Sequence, residues 1–116
     1  MKQIMIIDDE IDIAESLATV LETEGFSATS FSNGYSGLEE MKKNRPDLVI
    51  LDVMMPKPRG VEVVRLMKED NDLKSIPIMM MSASKEPTPE SEERWNVFVR
   101  KPFEMEDLLA SINLLI

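Results

Sequence analysis

The sequence predicts an α/β fold of three layers, in which helices cover both faces of a parallel sheet. Short continuous apolar runs alternate along the 116 residues with segments whose apolar residues recur at helical spacing. Such runs are typical of strands that are buried on both faces. Strands that alternate with helices are usually parallel and joined by right-handed crossovers. No linker or repeat interrupts the pattern, so we expect one domain over residues 1–116.

The strands are expected at the apolar runs and at one more polar segment. Ile4–Ile7, Leu48–Leu51 and Ile76–Met81 fit central strands, and Val97–Val99 is a shorter run of the same kind. Ser27–Phe31 is more polar and only partly β-branched. Its composition suits a strand at the sheet edge.

The helices are marked by apolar residues three or four positions apart. The marking residues are, in chain order, Ile11, Ala14, Leu17, Ala18 and Leu21; Leu38 and Met41; Val61, Val64 and Met67; and Met105, Leu108, Leu109 and Ile112. Gly25 is expected to end the first helix, because glycine readily adopts the left-handed backbone of a C-cap.

Composition excludes several classes of function. The net charge of −9 disfavours direct binding to nucleic acid or to anionic membranes. The chain has no Cys and no His, which removes thiol chemistry, zinc–thiolate sites and imidazole bases. No apolar run resembles a signal peptide or a membrane span, so we expect a cytoplasmic protein.

Three carboxylates follow predicted strands directly. Asp8 and Asp9 come after Ile4–Ile7, and Asp52 comes after Leu48–Leu51. Ligand sites of open α/β sheets lie at the carboxyl ends of the strands, so neighbouring strands would bring the three acids together. Each acid could instead be a solvated loop residue or a helix cap. That alternative is as strong as the functional one for Asp9, and weaker for Asp52.

Crowded carboxylates favour a bound cation, because like charges raise one another's pKa. Mg²⁺ suits such a site, needing only one or two carboxylates together with water and phosphate. An acidic magnesium site suggests phosphoryl transfer with a carboxylate as nucleophile. Ser82 after the fourth strand offers a hydroxyl, and Lys101 after the fifth offers a positive charge for phosphate.

These residues resemble the receiver domain of bacterial two-component response regulators. The resemblance covers almost the whole chain and rests on four motifs in order. They are Ile6-Ile7-Asp8-Asp9-Glu10, then Asp47 to Pro56 with Gly60 after it, then Ser82-Ala83, and finally Lys101-Pro102-Phe103.

The resemblance implies a flavodoxin-like fold, with five parallel strands in the order 2-1-3-4-5 flanked by five helices, the fourth of them between Ser82 and Lys101. It implies that Asp52 is the phosphoacceptor for a histidine kinase or phosphotransfer protein, and that an output partner, unknown from the sequence, reads the result. Ser82 and Lys101 would contact the phosphoryl group, and Phe98 would be a switch residue that moves with Ser82. The implied Mg²⁺ ligands are Asp8, Asp9, Asp52 and the main-chain carbonyl of Met54. The Lys101–Pro102 peptide bond is expected to be cis.

The segment between Ser82 and Lys101 departs from the family pattern. Pro87 and Pro89 prevent helix in its first half, because proline lacks an N–H and clashes with the preceding turn. Thr88 can cap about two helical turns that would end near Trp95. We therefore expect a shortened or irregular fourth helix, anchored by packing of Trp95. The alternative for Trp95, less favoured by the sequence, is an exposed residue that docks a partner.

The sequence is also compatible with two other functions. An aspartyl-phosphate phosphohydrolase would use the same acids, although that class usually separates the two acids after the first strand by one residue. A degenerate receiver that serves only as a scaffold is the other alternative. The receiver interpretation predicts a signalling module and no enzyme, apart from catalysis of its own phosphorylation and dephosphorylation.

Overall fold

Five parallel strands form a single sheet in the order β2-β1-β3-β4-β5, as the resemblance implies. The computed structural model describes residues 1–88 and 94–116. The strands are β1 (Gln3–Ile7), β2 (Ser27–Phe31), β3 (Leu48–Asp52), β4 (Ile78–Ser82) and β5 (Val97–Arg100). β4 begins later than the apolar run does, because Pro77 has no N–H to donate to a strand ladder. Its carbonyl still accepts a hydrogen bond from Val49.

Burial of the strands agrees with the sequence pattern. All residues of β3 and β4 are buried, and so are the last four of β1. The edge strands β2 and β5 are only half-buried. The apolar runs thus identified the sheet centre correctly, and the polar run Ser27–Phe31 is an edge strand as expected.

Four helices occur within the described residues and complete the three layers. They are α1 (Ile11–Thr23), α2 (Gly34–Lys43), α3 (Gly60–Lys68) and α4 (Met105–Leu115). One apolar cluster joins α1 and α4 to one face of the sheet, and a second joins α2 and α3 to the other face. Within residues 1–88 and 94–116, no helix combines the length and apolar character that crossing a membrane requires.

Local signals at the helix ends place the loops. Gly25 has a φ of +94° after the end of α1. Its N–H donates to the Glu22 carbonyl and that of Phe26 donates to Leu21, which is a Schellman motif. Asn33 caps α2 by accepting a hydrogen bond from the Ser36 N–H at 2.9 Å. The expected stop at Gly25 is confirmed.

The connection between β4 and β5 is only partly described. Residues 83–88 and 94–96 form no helix. The short helix expected from Pro89 to near Trp95 lies mostly on residues 89–93, outside the described part, and its expected end at residues 94–95 is not helical. Trp95 is half-buried and packs against the α2–α3 side of the core, as expected for an anchor. Its indole Nε1–H donates to Glu86 Oε2 at 2.6 Å, which links the two described ends of the connection.

Candidate functional site

The sheet brings the three predicted acids together at its carboxyl edge. β1 and β3 are neighbours, with Ile7 opposite Leu51, so the residues that follow them lie side by side. Asp8, Asp9 and Asp52 each offer a carboxylate oxygen, and these oxygens all lie within 4.8 Å of one another. Asp8 and Asp52 are buried and Asp9 is exposed. This cluster could hold a divalent metal ion, because oxygen ligands suit hard cations.

Lys101 reaches the acids from the far side of β4. Its Nζ lies 3.1 Å from Asp8 Oδ2 and 3.7 Å from Asp52 Oδ1. The Lys101 side chain is 17% exposed and that of Asp8 is fully buried. One cation therefore faces three carboxylates, and the cluster keeps an excess of negative charge.

That excess and the burial perturb Asp52. The pKa of the Asp52 carboxyl is raised from 3.8 to about 6, first by burial and then by the charge of Asp8, while the charge of Lys101 opposes the shift. The Met54 N–H also opposes the shift, by donating to Asp52 Oδ1 at 3.4 Å. The Asp52 carboxyl therefore takes up a proton at a higher pH than an exposed Asp does, and a further cation in the cluster would oppose that uptake.

Ser82 ends β4 at the same edge of the sheet. Ser82 is buried. The residue before Ser82 in β4, Met81, lies opposite Asp52 of β3. Ser82 Oγ accepts a hydrogen bond from the Ser84 N–H at 3.0 Å, and its carbonyl accepts one from the Lys101 N–H at 2.8 Å. Ser82 is therefore tied to the strand that carries Lys101 and lies one strand away from Asp52.

Phe98 lies on β5, opposite Met80 of β4. Its ring is half-buried against the same apolar cluster as Trp95. Met54, by contrast, exposes 60% of its surface beside Asp52. The Lys101–Pro102 bond is cis, as expected, and Lys57–Pro58 is also cis.

Gly60 supports the site in a way that the motif alone does not explain. A Cβ at Gly60 would lie 2.6 Å from the Asp52 carbonyl oxygen and 2.8 Å from Val53 Cα. The Gly60 N–H donates to the Val53 carbonyl at 3.3 Å. The first residue of α3 therefore presses on the backbone that carries Asp52, and only glycine fits there. A glycine that opens a helix, despite its poor helix propensity, was the available signal.

The fold and site define a doubly wound α/β domain with an acidic, metal-competent pocket at the switch in strand order. The family model described as the response regulator receiver domain matches residues 4–113. The chain belongs to this family, which confirms the resemblance seen in the sequence. It is a receiver module and not a classical enzyme.

Relatives and solved structures agree with this assignment. The chain is 32% identical over 114 residues to the DNA-binding response regulator MtrA of Mycobacterium tuberculosis, covering 96% of this chain and 49% of that protein. It is 39% identical over 83 residues to a CpxR homolog of Haemophilus influenzae, and the match covers 72% of this chain and 35% of that protein. The chain thus spans about half the length of the curated relatives it matches, or less.

Among solved structures, the chemotaxis protein CheY4 of Vibrio cholerae superposes with a TM-score of 0.91 at 27% identity, covering 100% of this chain and 99% of that one. A CheY-like receiver domain protein of Methanospirillum hungatei superposes with a TM-score of 0.86 at 29% identity, covering 97% of this chain and 92% of that one. Both superpositions extend over nearly the full length of each chain, which supports the domain architecture as a whole.

Proposed function

We propose that residues 1–116 form one receiver domain that accepts a phosphoryl group on Asp52 and thereby changes its partner-binding surface. The observation that carries the proposal is the position of the buried Asp52 carboxylate, which lies between two other acids and Lys101 Nζ at 3.7 Å. A nucleophilic carboxylate, a metal-competent acid cluster and a cation for phosphate are the parts that phosphoryl transfer needs.

In this proposal an Asp52 oxygen attacks the phosphorus of the donor. With a phosphohistidine donor the P–N bond breaks and the leaving imidazole takes up a proton. Asp8, Asp9, Asp52 and the main-chain carbonyl of Met54 would hold Mg²⁺, which when bound neutralises charge on the phosphoryl oxygens. Lys101 would leave the carboxylates to pair with one phosphoryl oxygen, and the Ser82 hydroxyl would donate to another. Ser82 and Phe98 would carry the resulting change to the surface.

The partners follow from the same chemistry. Residues 1–116 contain no His, so the phosphohistidine donor lies outside them, in a histidine kinase or phosphotransfer protein. The net charge of −9 disfavours direct contact of this domain with nucleic acid or membrane. We place the domain in the cytoplasm, and its output partner is a protein that distinguishes the two states.

Incubation with acetyl phosphate and Mg²⁺ is expected to add one phosphoryl group to the wild type and none to Asp52→Asn. Intact-mass spectrometry measures the addition. The exposed Asp107 provides a matched control, since Asp107→Asn makes the same chemical change outside the cluster. Equal labelling of Asp52→Asn would refute the assignment, and an unlabelled wild type would favour the scaffold alternative. Rapid multiple turnovers on small phosphoesters would favour a phosphohydrolase.

Mg²⁺ is expected to raise the melting temperature of the wild type and to have less effect on Asp52→Asn. A ligand that binds only the folded state at ten times its Kd adds about 1.4 kcal/mol to the free energy of unfolding. Asp52→Asn should itself stabilise the metal-free protein, because it removes a buried like charge. Thermal melts with Mg²⁺ and with a chelator test this, and identical melts would contradict it.

The free energy of unfolding of the metal-free protein is expected to depend on pH in the way that the raised pKa of Asp52 requires. The folded-state pKa of Asp52 is raised to about 6 from 3.8, so the folded protein binds more protons between these values. The contribution of this group to stability is therefore fully present below pH 3.8 and is lost as pH rises through 6. Asp52→Asn should lack this loss, and the difference between the two proteins isolates the contribution of Asp52.

A further inference from the structure

Charge is distributed unevenly around the acidic pocket. On one side the chain carries Asp8, Asp9, Glu10 and Asp12 within a few residues. On the other side, the loop from β3 into α3, residues 53–59, contains two cations, Lys57 and Arg59, and no acid, and the first turn of α3 adds Glu62. The two cations lie on either side of Pro58, and both are exposed in a chain of net charge −9.

The loop that carries the two cations packs closely against the start of α2 and leads into the contact of Gly60 with the Asp52 backbone. Pro58 is buried, and its Cγ lies 2.7 Å from where a Cβ of Gly34, the first residue of α2, would stand. Arg59 immediately precedes Gly60, whose backbone presses on Asp52. Consecutive Cα atoms are about 3.8 Å apart, so the backbone of Arg59 lies on the order of 10 Å or less from that of Asp52.

Neither cation is engaged elsewhere. Lys57 and Arg59 are exposed, and across residues 1–88 and 94–116 neither forms an ion pair or a side-chain hydrogen bond. Lys101, in contrast, is drawn into the acid cluster. The loop therefore presents two positive charges that have no ion-pair partner in the described residues, at the same edge of the sheet as Asp52.

Arg59 also occupies a helix position at which an arginine does not stabilise the helix. It is the N-cap of α3, with an extended backbone and no side-chain capping bond. Ser, Thr, Asp or Asn would cap the helix, and a cation is repelled by the positive end of the helix dipole. Residues that break such local rules are expected at functional sites.

We infer that Lys57 and Arg59 attract an anionic phosphodonor, specifically a small acyl phosphate, to Asp52. This inference rests on the proposed function. The acid cluster and the net charge repel a dianion, and two cations within about one Debye length raise its local concentration. In the step itself an Asp52 oxygen attacks phosphorus, the P–O bond to the acyl group breaks, and the carboxylate leaves as an anion. Lys57 and Arg59 are positioning residues and take no part in bond making.

The test compares initial rates of phosphorylation by acetyl phosphate at low ionic strength and saturating Mg²⁺. The double variant Lys57→Gln with Arg59→Gln is expected to lower the second-order rate constant roughly three- to tenfold. The deficit should shrink as NaCl approaches about 0.5 M, because salt screens exposed charges. Lys57→Arg with Arg59→Lys keeps both charges and should restore the rate.

Two controls isolate the local charge. Lys43→Gln with Lys74→Gln removes the same charge from exposed positions at the opposite edge of the sheet, and should change the rate little. Phosphoramidate carries less negative charge than acetyl phosphate at neutral pH, so the loop variant should slow it less. An equal deficit with both donors, or a deficit that does not depend on salt, would overturn the inference.

Failure of the inference can be told apart from failure of the proposed function. If the loop variant labels at the wild-type rate while Asp52→Asn stays unlabelled, the proposed function stands and the steering role is wrong. If the wild type itself is not labelled at Asp52, the proposed function fails and the inference fails with it.

Discussion

Replacing Lys101 by methionine is expected to lower the free energy of unfolding of the metal-free protein by about 3 kcal/mol. Lys101 is the cation that contacts the buried Asp8, at 3.1 Å, and its loss leaves three crowded carboxylates without that counter-charge. Methionine keeps most of the apolar volume, so the loss reflects charge rather than packing. Urea unfolding in the presence of a chelator measures the change.

The surface pair Lys42–Asp70 supplies a matched control. Lys42 Nζ lies 3.9 Å from Asp70 Oδ2, and its side chain is 62% exposed. Lys42→Met should therefore cost less than about 1 kcal/mol. Saturating Mg²⁺ should reduce the loss in Lys101→Met, because a divalent ion supplies the missing charge. Equal losses in the two variants, or no effect of Mg²⁺, would show that Lys101 does not neutralise the cluster.

Gly60→Ala is expected to destabilise the fold by about 2 kcal/mol and to slow phosphorylation of Asp52. Its Cβ would stand 2.6 Å from the Asp52 carbonyl oxygen, and backbone cannot move aside as a side chain can. Overpacking typically costs about 1–3 kcal/mol, which outweighs the gain in helix propensity of up to about 1 kcal/mol. Displacement of Asp52 accounts for the slower reaction with acetyl phosphate.

Gly37→Ala is the comparison for this variant. A Cβ at Gly37 would stand 2.5 Å from Ile7 Cδ1, the terminal atom of a side chain rather than a backbone atom. Its loss of stability should be smaller, and its rate of phosphorylation close to that of the wild type. Urea unfolding and mass spectrometry compare the two. If Gly60→Ala matches Gly37→Ala in both measurements, the contact of α3 with Asp52 does not constrain the site.

Patterns along the chain predicted the parts of the fold that depend on local periodicity. The apolar runs identified the buried strands because a parallel sheet covered on both faces requires apolar residues at successive positions. Strand order came from the family resemblance, since periodicity says nothing of which strands are neighbours. The acids could be placed at one edge because parallel strands share that edge.

Features that depend on side-chain reach across the fold could not be predicted. Lys101 was expected to meet phosphate, but nothing in the sequence indicates that it pairs with Asp8 across β4. The exposure of Asp9 beside two buried acids depends on how α1 leaves the sheet. The role of Gly60 depends on a close approach of two backbones that are eight residues apart in the chain. Tertiary packing decides each of these.

The hydrogen bond between Trp95 and Glu86 gives the domain a built-in optical reporter. Trp95 is the single tryptophan of the chain, so all intrinsic indole fluorescence comes from one place. Its N–H contacts a carboxylate on the segment that leaves Ser82, while its ring rests on the core beside which Phe98 packs. The emission wavelength and the quenching of Trp95 therefore depend on both Glu86 and the apolar cluster. A change in either contact can be followed in real time on unlabelled protein.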